Sequence, residues 1–277
     1  MKCNVKDIPI YYEIHGSGKP ILMIHGFTPD HRLMSGCMEP LFAEDDGWQR
    51  IYLDLPGMGQ TPAPVWLTTS DQMLEIVYQF VRQVIPDQKY AVAGESYGGY
   101  LTLGLLRKDG QHIIGAMLLC PLTIGVEEQR TLPARTACIR DEALLESLSD
   151  SDRESFEAFC VIQTKEVWEK MNADISSGVA IADFAFLEKL SKVENYPFTY
   201  ESELSTLKYE KPMLILTGRQ DTAVGFEDHL PLVKQYPHAT FLALDRAGHN
   251  LQIEQPLVFN ALTREWLNSM QTNWKDS

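Results

Sequence analysis

The segment Gly94-Glu95-Ser96-Tyr97-Gly98-Gly99 decides the fold. It follows the apolar run of residues 90–93 and precedes an apolar stretch that begins near Tyr100. Glycines are needed in such a sharp turn, because a strand and a helix can approach closely only where no Cβ intervenes. The G-x-S-x-G pattern between a strand and a helix therefore predicts a strained Ser96 at the strand tip, with a helix N-terminus that favours negative charge beside it.

The rest of the chain alternates between short apolar runs and amphipathic stretches. This alternation predicts an α/β fold, a mostly parallel buried sheet with crossover helices on both faces. At the N-terminus, the alternating pattern of Ile8, Ile10 and Tyr12 predicts an edge hairpin that turns at Gly16-Ser17-Gly18. A capping box, Thr69-x-x-Gln72, predicts the start of a helix. The predicted strands are residues 21–24, 51–53, 90–93, 113–119, 213–216 and 241–244.

The alternation is interrupted once, between residues 121 and 208. Three helical segments are predicted there, over residues 135–148, behind a Ser151-x-x-Glu154 capping box, and over residues 179–190. The second of them has an apolar face formed by Phe156, Cys160, Gln163, Val167 and Met171. We therefore predict an inserted all-helical lid, residues 121–208, that interrupts a core domain made of residues 1–120 and 209–277.

Composition narrows the classes of partner. The chain has 277 residues and a net charge of −14, which disfavours nucleic acid and anionic membranes as partners. More than half of that charge lies in residues 121–208, which contain 17 acidic and 9 basic residues. No apolar run is long enough to span a membrane, and the five cysteines lack any CxxC spacing. We expect a cytoplasmic, soluble monomer or homodimer without cofactor, metal or disulfide, acting on a small molecule.

Two more polar residues follow predicted strands. Asp221 lies three residues after Gly218, behind the run 214–216, and His249 follows the run 241–244. The ends of parallel strands meet at one edge of a sheet, so Ser96, Asp221 and His249 are predicted to lie together as nucleophile, acid and base. Glu127 or Glu128 could supply the acid instead, because each follows the run 113–119.

The chain resembles the α/β-hydrolase superfamily from about residue 11 to residue 266. The similarity rests on the elbow around Ser96, on Met23-Ile24-His25-Gly26-Phe27, on Asp54-Leu55-Pro56-Gly57-Met58-Gly59-Gln60-Thr61, and on Gly248-His249 followed by Glu254-Gln255-Pro256. The resemblance implies Ser96 as nucleophile, His249 as base and then acid, and Asp221 as the carboxylate that orients His249. It also implies an oxyanion hole formed by the backbone N–H groups of Phe27 and Tyr97, with Gly26, Phe27 and Tyr97 contacting substrate.

The implied activity is hydrolysis of a small or medium carboxylic ester through an acyl-enzyme. Serine at the elbow disfavours epoxide opening and halide displacement, for which members of the family use Asp there. It also disfavours dienelactone-type hydrolysis, for which they commonly use Cys. Three alternatives stay open: a proline iminopeptidase-like aminopeptidase, a carbon-carbon bond hydrolase, and a non-catalytic ligand sensor. The aminopeptidase would suit an acidic lid, but this chain has Tyr97 where those enzymes carry tryptophan.

The remaining polar and aromatic residues are given structural roles. Glu95 is interpreted as a structural hydrogen-bonding group, and His25 as a residue that shapes the oxyanion loop. Most aromatic residues of the insertion are expected in its core, with one or two lining a pocket. The histidines interpreted as surface groups are His15, His31, His112, His229 and His238.

Overall fold

An eight-stranded sheet forms the centre of the protein. The structure is a computed structural model that describes residues 1–43 and 46–273. The strands are β1 (Lys2–Val5), β2 (Ile8–His15), β3 (Lys19–Ile24), β4 (Trp48–Leu53), β5 (Tyr90–Glu95), β6 (Ile113–Leu119), β7 (Ile139–Arg140), β8 (Ile162–Gln163), β9 (Met213–Gly218) and β10 (Ala239–Leu244). The order of the eight-stranded sheet is β1-β2-β4-β3-β5-β6-β9-β10, and all neighbours are parallel except β1 with β2 and β2 with β4. The mostly parallel α/β sheet is thus confirmed.

Helices surround this sheet in two groups. The helices are α1 (Arg32–Met38), α2 (Ser70–Val84), α3 (Tyr97–Asp109), α4 (Glu142–Ser147), α5 (Asp150–Phe159), α6 (Lys165–Met171), α7 (Ser177–Val179), α8 (Phe184–Leu190), α9 (Glu201–Leu204), α10 (Leu230–Val233), α11 (Leu251–Glu254) and α12 (Pro256–Asn273). Helix α3 packs on β3, β5 and β6 and beside α2, whereas α12 packs on β9 and beside the turn that follows α1. The capping box of α2 is confirmed, because Thr69 accepts from the Gln72 N–H and Gln72 accepts in return.

The N-terminal hairpin turns at a different place from the one predicted. Strands β1 and β2 form the hairpin, and its turn is Lys6-Asp7, with φ of 48° and 66°. Two successive positive φ values suit the tight turn between antiparallel strands. The Gly16-Ser17-Gly18 turn instead leads into β3, which pairs with β4 and β5 and not with β2. The prediction of a hairpin at the glycines was therefore wrong, although the alternating burial of β2 was correct.

The segment between β6 and β9, residues 121–208, is not all-helical. Strands β7 and β8 pair with each other, Ile139 opposite Ile162. The predicted helix over 135–148 is correct only for α4, and the apolar face attributed to one helix belongs to α5, β8 and α6 in succession. The helical spacing of buried residues continues from α5 through β8 to α6, because all three elements bury side chains at these positions.

Helix starts within this segment also differ from the predicted ones. Ser149, not Ser151, caps α5 by accepting from the Asp152 N–H at 3.2 Å. The predicted helix over 179–190 is interrupted, because α7 ends at Val179 and Asp183 caps a new helix, α8. Both caps satisfy N–H groups that a helix terminus leaves free. Among the described helices, none has the length and apolar character needed to cross a membrane.

Candidate active site

Ser96 lies at a sharp turn between β5 and α3. Its backbone has φ of 51° and ψ of −114°, outside the regions that side chains other than glycine usually adopt. Its N–H donates to the Leu119 carbonyl at 2.9 Å, and its own carbonyl accepts from Leu122 and Tyr100. These bonds hold the strained conformation, which costs on the order of 1–3 kcal/mol. The predicted elbow is therefore present, with Ser96 at the carboxyl edge of the sheet.

Glycine is required at two elbow positions for steric reasons. A Cβ on Gly94 would lie 2.2 Å from the Gly98 carbonyl oxygen, and one on Gly98 would lie 2.2 Å from the Ile24 carbonyl oxygen. Neither oxygen can move without displacing the main chain of α3 or β3. The close approach of α3 to the sheet, and with it the direction in which Ser96 points, depends on these two residues.

Gly98→Ala is expected to destabilise the protein by about 2–3 kcal/mol through this backbone overlap. Urea unfolding of the variant, followed by circular dichroism, measures the loss. Gly104→Ala in the same helix is the matched control, because the nearest atoms to its Cβ are methyl groups of Leu74, which can change rotamer. Equal losses for the two variants would show that the elbow is no more constrained than the rest of α3.

Asp221 and His249 meet beside the elbow. Asp221 follows β9, is 1% exposed, and its Oδ2 lies 2.8 Å from His249 Nδ1. Its Oδ1 accepts from the N–H groups of Ala223 and Val224 at 2.8 and 3.0 Å. The carboxylate is thus oriented on both sides. Burial lowers the pKa of His249, but the charge and hydrogen bond of Asp221 together with the charge of Glu95 raise it to about 9.

The carboxylate at His249 Nδ1 is that of Asp221 and not that of the two glutamates considered as alternatives. Glu127 and Glu128 lie in a short 3₁₀ helix at the start of the inserted segment, and both side chains are exposed. Glu127 contributes to the wall of the cavity described below, while Glu128 does not.

The predicted oxyanion residues lie next to Ser96. A Cβ on Gly26 would lie 3.3 Å from the Ser96 Cβ, which puts the loop after β3 against the nucleophile. The Phe27 ring packs edge-on against Tyr97, with ring centroids 5.4 Å apart. His25 shapes the loop as expected, since its Nδ1 lies 2.7 Å from the Gly26 carbonyl oxygen and its Nε2 accepts from the Leu55 N–H at 3.0 Å. Burial lowers the pKa of His25, in keeping with a neutral ring.

A cavity of about 590 Å³ opens above Ser96 and His249. Apolar side chains from the segment 121–208 contribute much of its wall, and three of its aromatic residues take part: Phe159, Trp168 and Tyr196. Tyr196 stacks on Tyr97 with centroids 5.2 Å apart and an interplanar angle of 13°. The charged side chains of the wall, apart from His249, are Glu95, Glu127, Arg130 and Asp152. The cavity therefore combines an apolar interior with a few polar groups, as small-molecule sites do.

Comparison with known proteins identifies the family. The family model for the alpha/beta hydrolase fold matches residues 19–256. The chain belongs to the α/β-hydrolase superfamily. The solved structure of an alpha/beta superfamily hydrolase from Oenococcus oeni PSU-1 is similar with a TM-score of 0.87 and 28% identity, over 95% of this chain and 96% of that chain.

Two curated hydrolases are also similar along nearly their whole length. A 2-hydroxy-6-oxononadienedioate/2-hydroxy-6-oxononatrienedioate hydrolase of Cupriavidus pinatubonensis is 22% identical over 96% of this chain and 94% of its own. A pimeloyl-[acyl-carrier protein] methyl ester esterase of Legionella pneumophila is 23% identical over 87% of this chain and 91% of its own. The present chain is accordingly a hydrolase of this fold.

Sequence analysis missed the way in which Glu254 supports the His249 loop of this hydrolase. Glu254 is 5% exposed, and its Oε1 accepts from the N–H groups of Val161 and Ile162 at 2.5 and 2.9 Å. Its Oε2 accepts from the Gly248 N–H at 2.6 Å. Burial raises the pKa of Glu254 to about 7 although these three bonds oppose the shift. The family-like Glu254-Gln255-Pro256 segment was the only signal of this residue, and it carried no information about the partners.

Two histidines of the hydrolase that were interpreted as surface groups are buried. His31 Nδ1 lies 2.7 Å from Asp54 Oδ1, and His229 Nε2 lies 2.7 Å from the Pro121 carbonyl oxygen. Polar neighbours in the sequence suggested exposure, but the hydrogen-bond partners that make burial tolerable, Asp54 and Pro121, lie far away in the chain.

Two clusters bring three potential metal ligands within 4.8 Å of one another: Cys120 with Asp221 and His249, and Asp30 with His31 and Asp54. In each cluster the histidine Nδ1 already faces a carboxylate of the protein, at 2.8 Å in the first and 2.7 Å in the second. We assign no metal to either cluster.

Proposed function

We propose that this hydrolase cleaves small or medium carboxylic esters through an acyl-enzyme formed on Ser96. The observation that carries the proposal is the Asp221 Oδ2–His249 Nδ1 contact of 2.8 Å next to a strained serine, in the cavity that Ser96 and His249 share. An ester of acetate to medium chain length fits an apolar cavity of about 590 Å³.

In the proposed mechanism, Ser96 Oγ attacks the ester carbonyl while His249 Nε2 takes the serine proton. Asp221 holds the ring with its proton on Nδ1 and stabilises the imidazolium that forms. The tetrahedral oxyanion accepts hydrogen bonds from the N–H groups of Phe27 and Tyr97, each worth on the order of 10²–10³ in rate. His249 then protonates the departing alcohol, and water, activated by the same ring, releases the acid.

We further propose that residues 121–208 act as a lid on a core made of residues 1–120 and 209–277. The lid supplies Phe159, Trp168 and Tyr196 to the cavity wall, so acyl-chain selection depends on this segment. Most of its acidic side chains are exposed, and among the described residues only Glu127 and Asp152 of this segment's acids border the cavity.

A substrate panel tests the proposal. Nitrophenyl esters from acetate to octanoate are compared with proline nitroanilide and with a 2-hydroxy-6-oxo-dienedioate, and Ser96 is labelled with a fluorophosphonate. We expect labelling of Ser96 and the highest kcat/KM on an ester. A higher kcat/KM on the anilide would favour the aminopeptidase, and on the dienedioate the carbon-carbon bond hydrolase, for which the Cupriavidus relative is the supporting comparison.

Tight binding of an acyl compound without turnover would favour a ligand sensor and contradict the proposed catalysis. Absence of both labelling and Ser96-dependent turnover on every substrate would also contradict it.

A further inference from the structure

The buried Glu95 stands directly in front of the nitrogen that must accept the serine proton. Its Oε1 lies 3.3 Å from His249 Nε2, on the side of the ring opposite Asp221. Its Oε2 lies 2.1 Å from the position that a Cβ on Gly26 would take, so the carboxyl fills the space beneath the oxyanion loop. Glu95 precedes Ser96 in the chain and borders the same cavity. Glu95, the last residue of β5, thus contacts both the base and the loop after β3.

Few groups around Glu95 could compensate a negative charge on its carboxyl. The residue is 2% exposed, and His249 is the only cationic side chain within 4.0 Å of its carboxyl in the described part of the chain. Burial raises the pKa of Glu95 to about 7, with His249 acting against the shift and Asp221 adding to it. The titratable and charged groups of the neighbouring elements that interact with Glu95 or His249 are Asp221, Arg130, Tyr196, Cys120 and Cys37.

We propose that Glu95 is a second carboxylate partner of His249, a positioning residue that competes with Ser96 for Nε2 of His249 and so controls when the base is free. The inference rests on the proposed role of His249 as base. It replaces the earlier interpretation of Glu95 as a structural hydrogen-bonding group.

The competition follows from proton balance. When Glu95 is ionised and His249 protonated, the Nε2 proton is held in an ion pair, and no lone pair is available to Ser96. Loss of the Nε2 proton to solvent leaves His249 neutral and frees the lone pair. Transfer of that proton to the Glu95 carboxyl would not free it, because the protonated carboxyl would donate a hydrogen bond back to Nε2. An imidazolium between two carboxylates deprotonates at higher pH than one beside a single carboxylate. Activity is therefore expected to rise from neutral to alkaline pH.

The test uses the full-length chain and the isosteric variant Glu95→Gln, which keeps a polar side chain but removes the charge. We expect the pKa of His249, followed by NMR of its ring carbon, to fall by about one to two pH units relative to the wild type. The acidic limb of kcat/KM for nitrophenyl acetate should move down by the same amount, and kcat/KM at pH 6.5 relative to pH 9.5 should rise about tenfold.

Asp152→Asn is the matched control, since it removes one carboxylate from the same cavity wall without contact to His249. We expect a His249 shift several times smaller than that of Glu95→Gln. An unchanged His249 pKa in Glu95→Gln, or equal shifts in both variants, would overturn the proposal.

The NMR titration does not depend on turnover, so it separates this proposal from the proposed function. A shifted His249 without ester hydrolysis would support the Glu95 pairing and contradict the esterase. If Glu95→Gln does not fold, the wild-type titration decides: a His249 midpoint at or below about 6.5, the value of a free histidine, would overturn the pairing.

Discussion

Ser96→Ala is expected to lower kcat/KM for the best ester by a factor of about 10⁴–10⁶. The variant removes the attacking oxygen and nothing else of the machinery, because the elbow backbone is held by main-chain bonds to Leu119, Leu122 and Tyr100. Alanine carries the same Cβ as serine, so the cost of φ of 51° is the same in both. The free energy of unfolding should therefore change by less than about 0.5 kcal/mol.

Steady-state kinetics, fluorophosphonate labelling and urea unfolding together check this expectation. Ser177→Ala is the control, because the Ser177 hydroxyl makes only an exposed hydrogen bond to the Ala173 carbonyl. This variant should leave the kinetics, the labelling and the free energy of unfolding unchanged. Residual labelling in Ser96→Ala would reveal another nucleophile, and a loss of activity of less than tenfold would contradict an acyl-enzyme on Ser96.

Asp221→Asn is expected to lower kcat/KM by about 10³–10⁴. The aspartate accepts three hydrogen bonds, two on Oδ1 and one on Oδ2, and an amide can accept on one side only. If the amide oxygen stays with Ala223 and Val224, the amide N–H₂ faces His249 Nδ1 and forces the proton to Nε2. The ring then has no lone pair for Ser96, which is the largest part of the expected loss.

The pH profile separates this effect from a general loss of structure. Removing the Asp221 charge also lowers the pKa of His249, so the remaining activity should persist to lower pH than in the wild type. Glu128→Gln is the matched control, because the sequence allowed this exposed glutamate as an alternative to Asp221 for the acid that pairs with His249. If Glu128→Gln lowered kcat/KM more than Asp221→Asn did, Asp221 would not be the acid that orients His249.

Local sequence signals were sufficient for the parallel strands of the sheet and for the residues of the candidate site. The buried strands are short apolar runs between turn residues, and their order brings the ends of β5, β9 and β10 to one edge. The elbow glycines are informative because glycine is required there for a steric reason, and the positions concerned lie within a few residues of Ser96. Strand ends therefore located Ser96, Asp221 and His249 without knowledge of any long-range contact.

Long-range partners were the part that local patterns could not provide. The Glu95–His249 contact joins residues more than 150 positions apart, and two of the three partners of Glu254, Val161 and Ile162, lie in the inserted segment. The prediction of helices in that segment was wrong for a related reason. A helical repeat is preserved when helices and a short strand bury the same side, so the break at β8 leaves no mark in the spacing.

Glu254 has a mechanical consequence. One carboxylate bridges the backbone of Val161 and Ile162, in the inserted segment, to the backbone of Gly248, next to His249. Because the bridge is short and buried, we expect the Val161-Ile162 backbone and the imidazole loop to move together. We then expect any widening of the cavity that preserves the pairing of Asp221 with His249 to occur around α7 and α8, where Ile181 and Phe184 are more than half exposed. On this expectation, Glu254 sets which side of the cavity can accommodate a larger substrate.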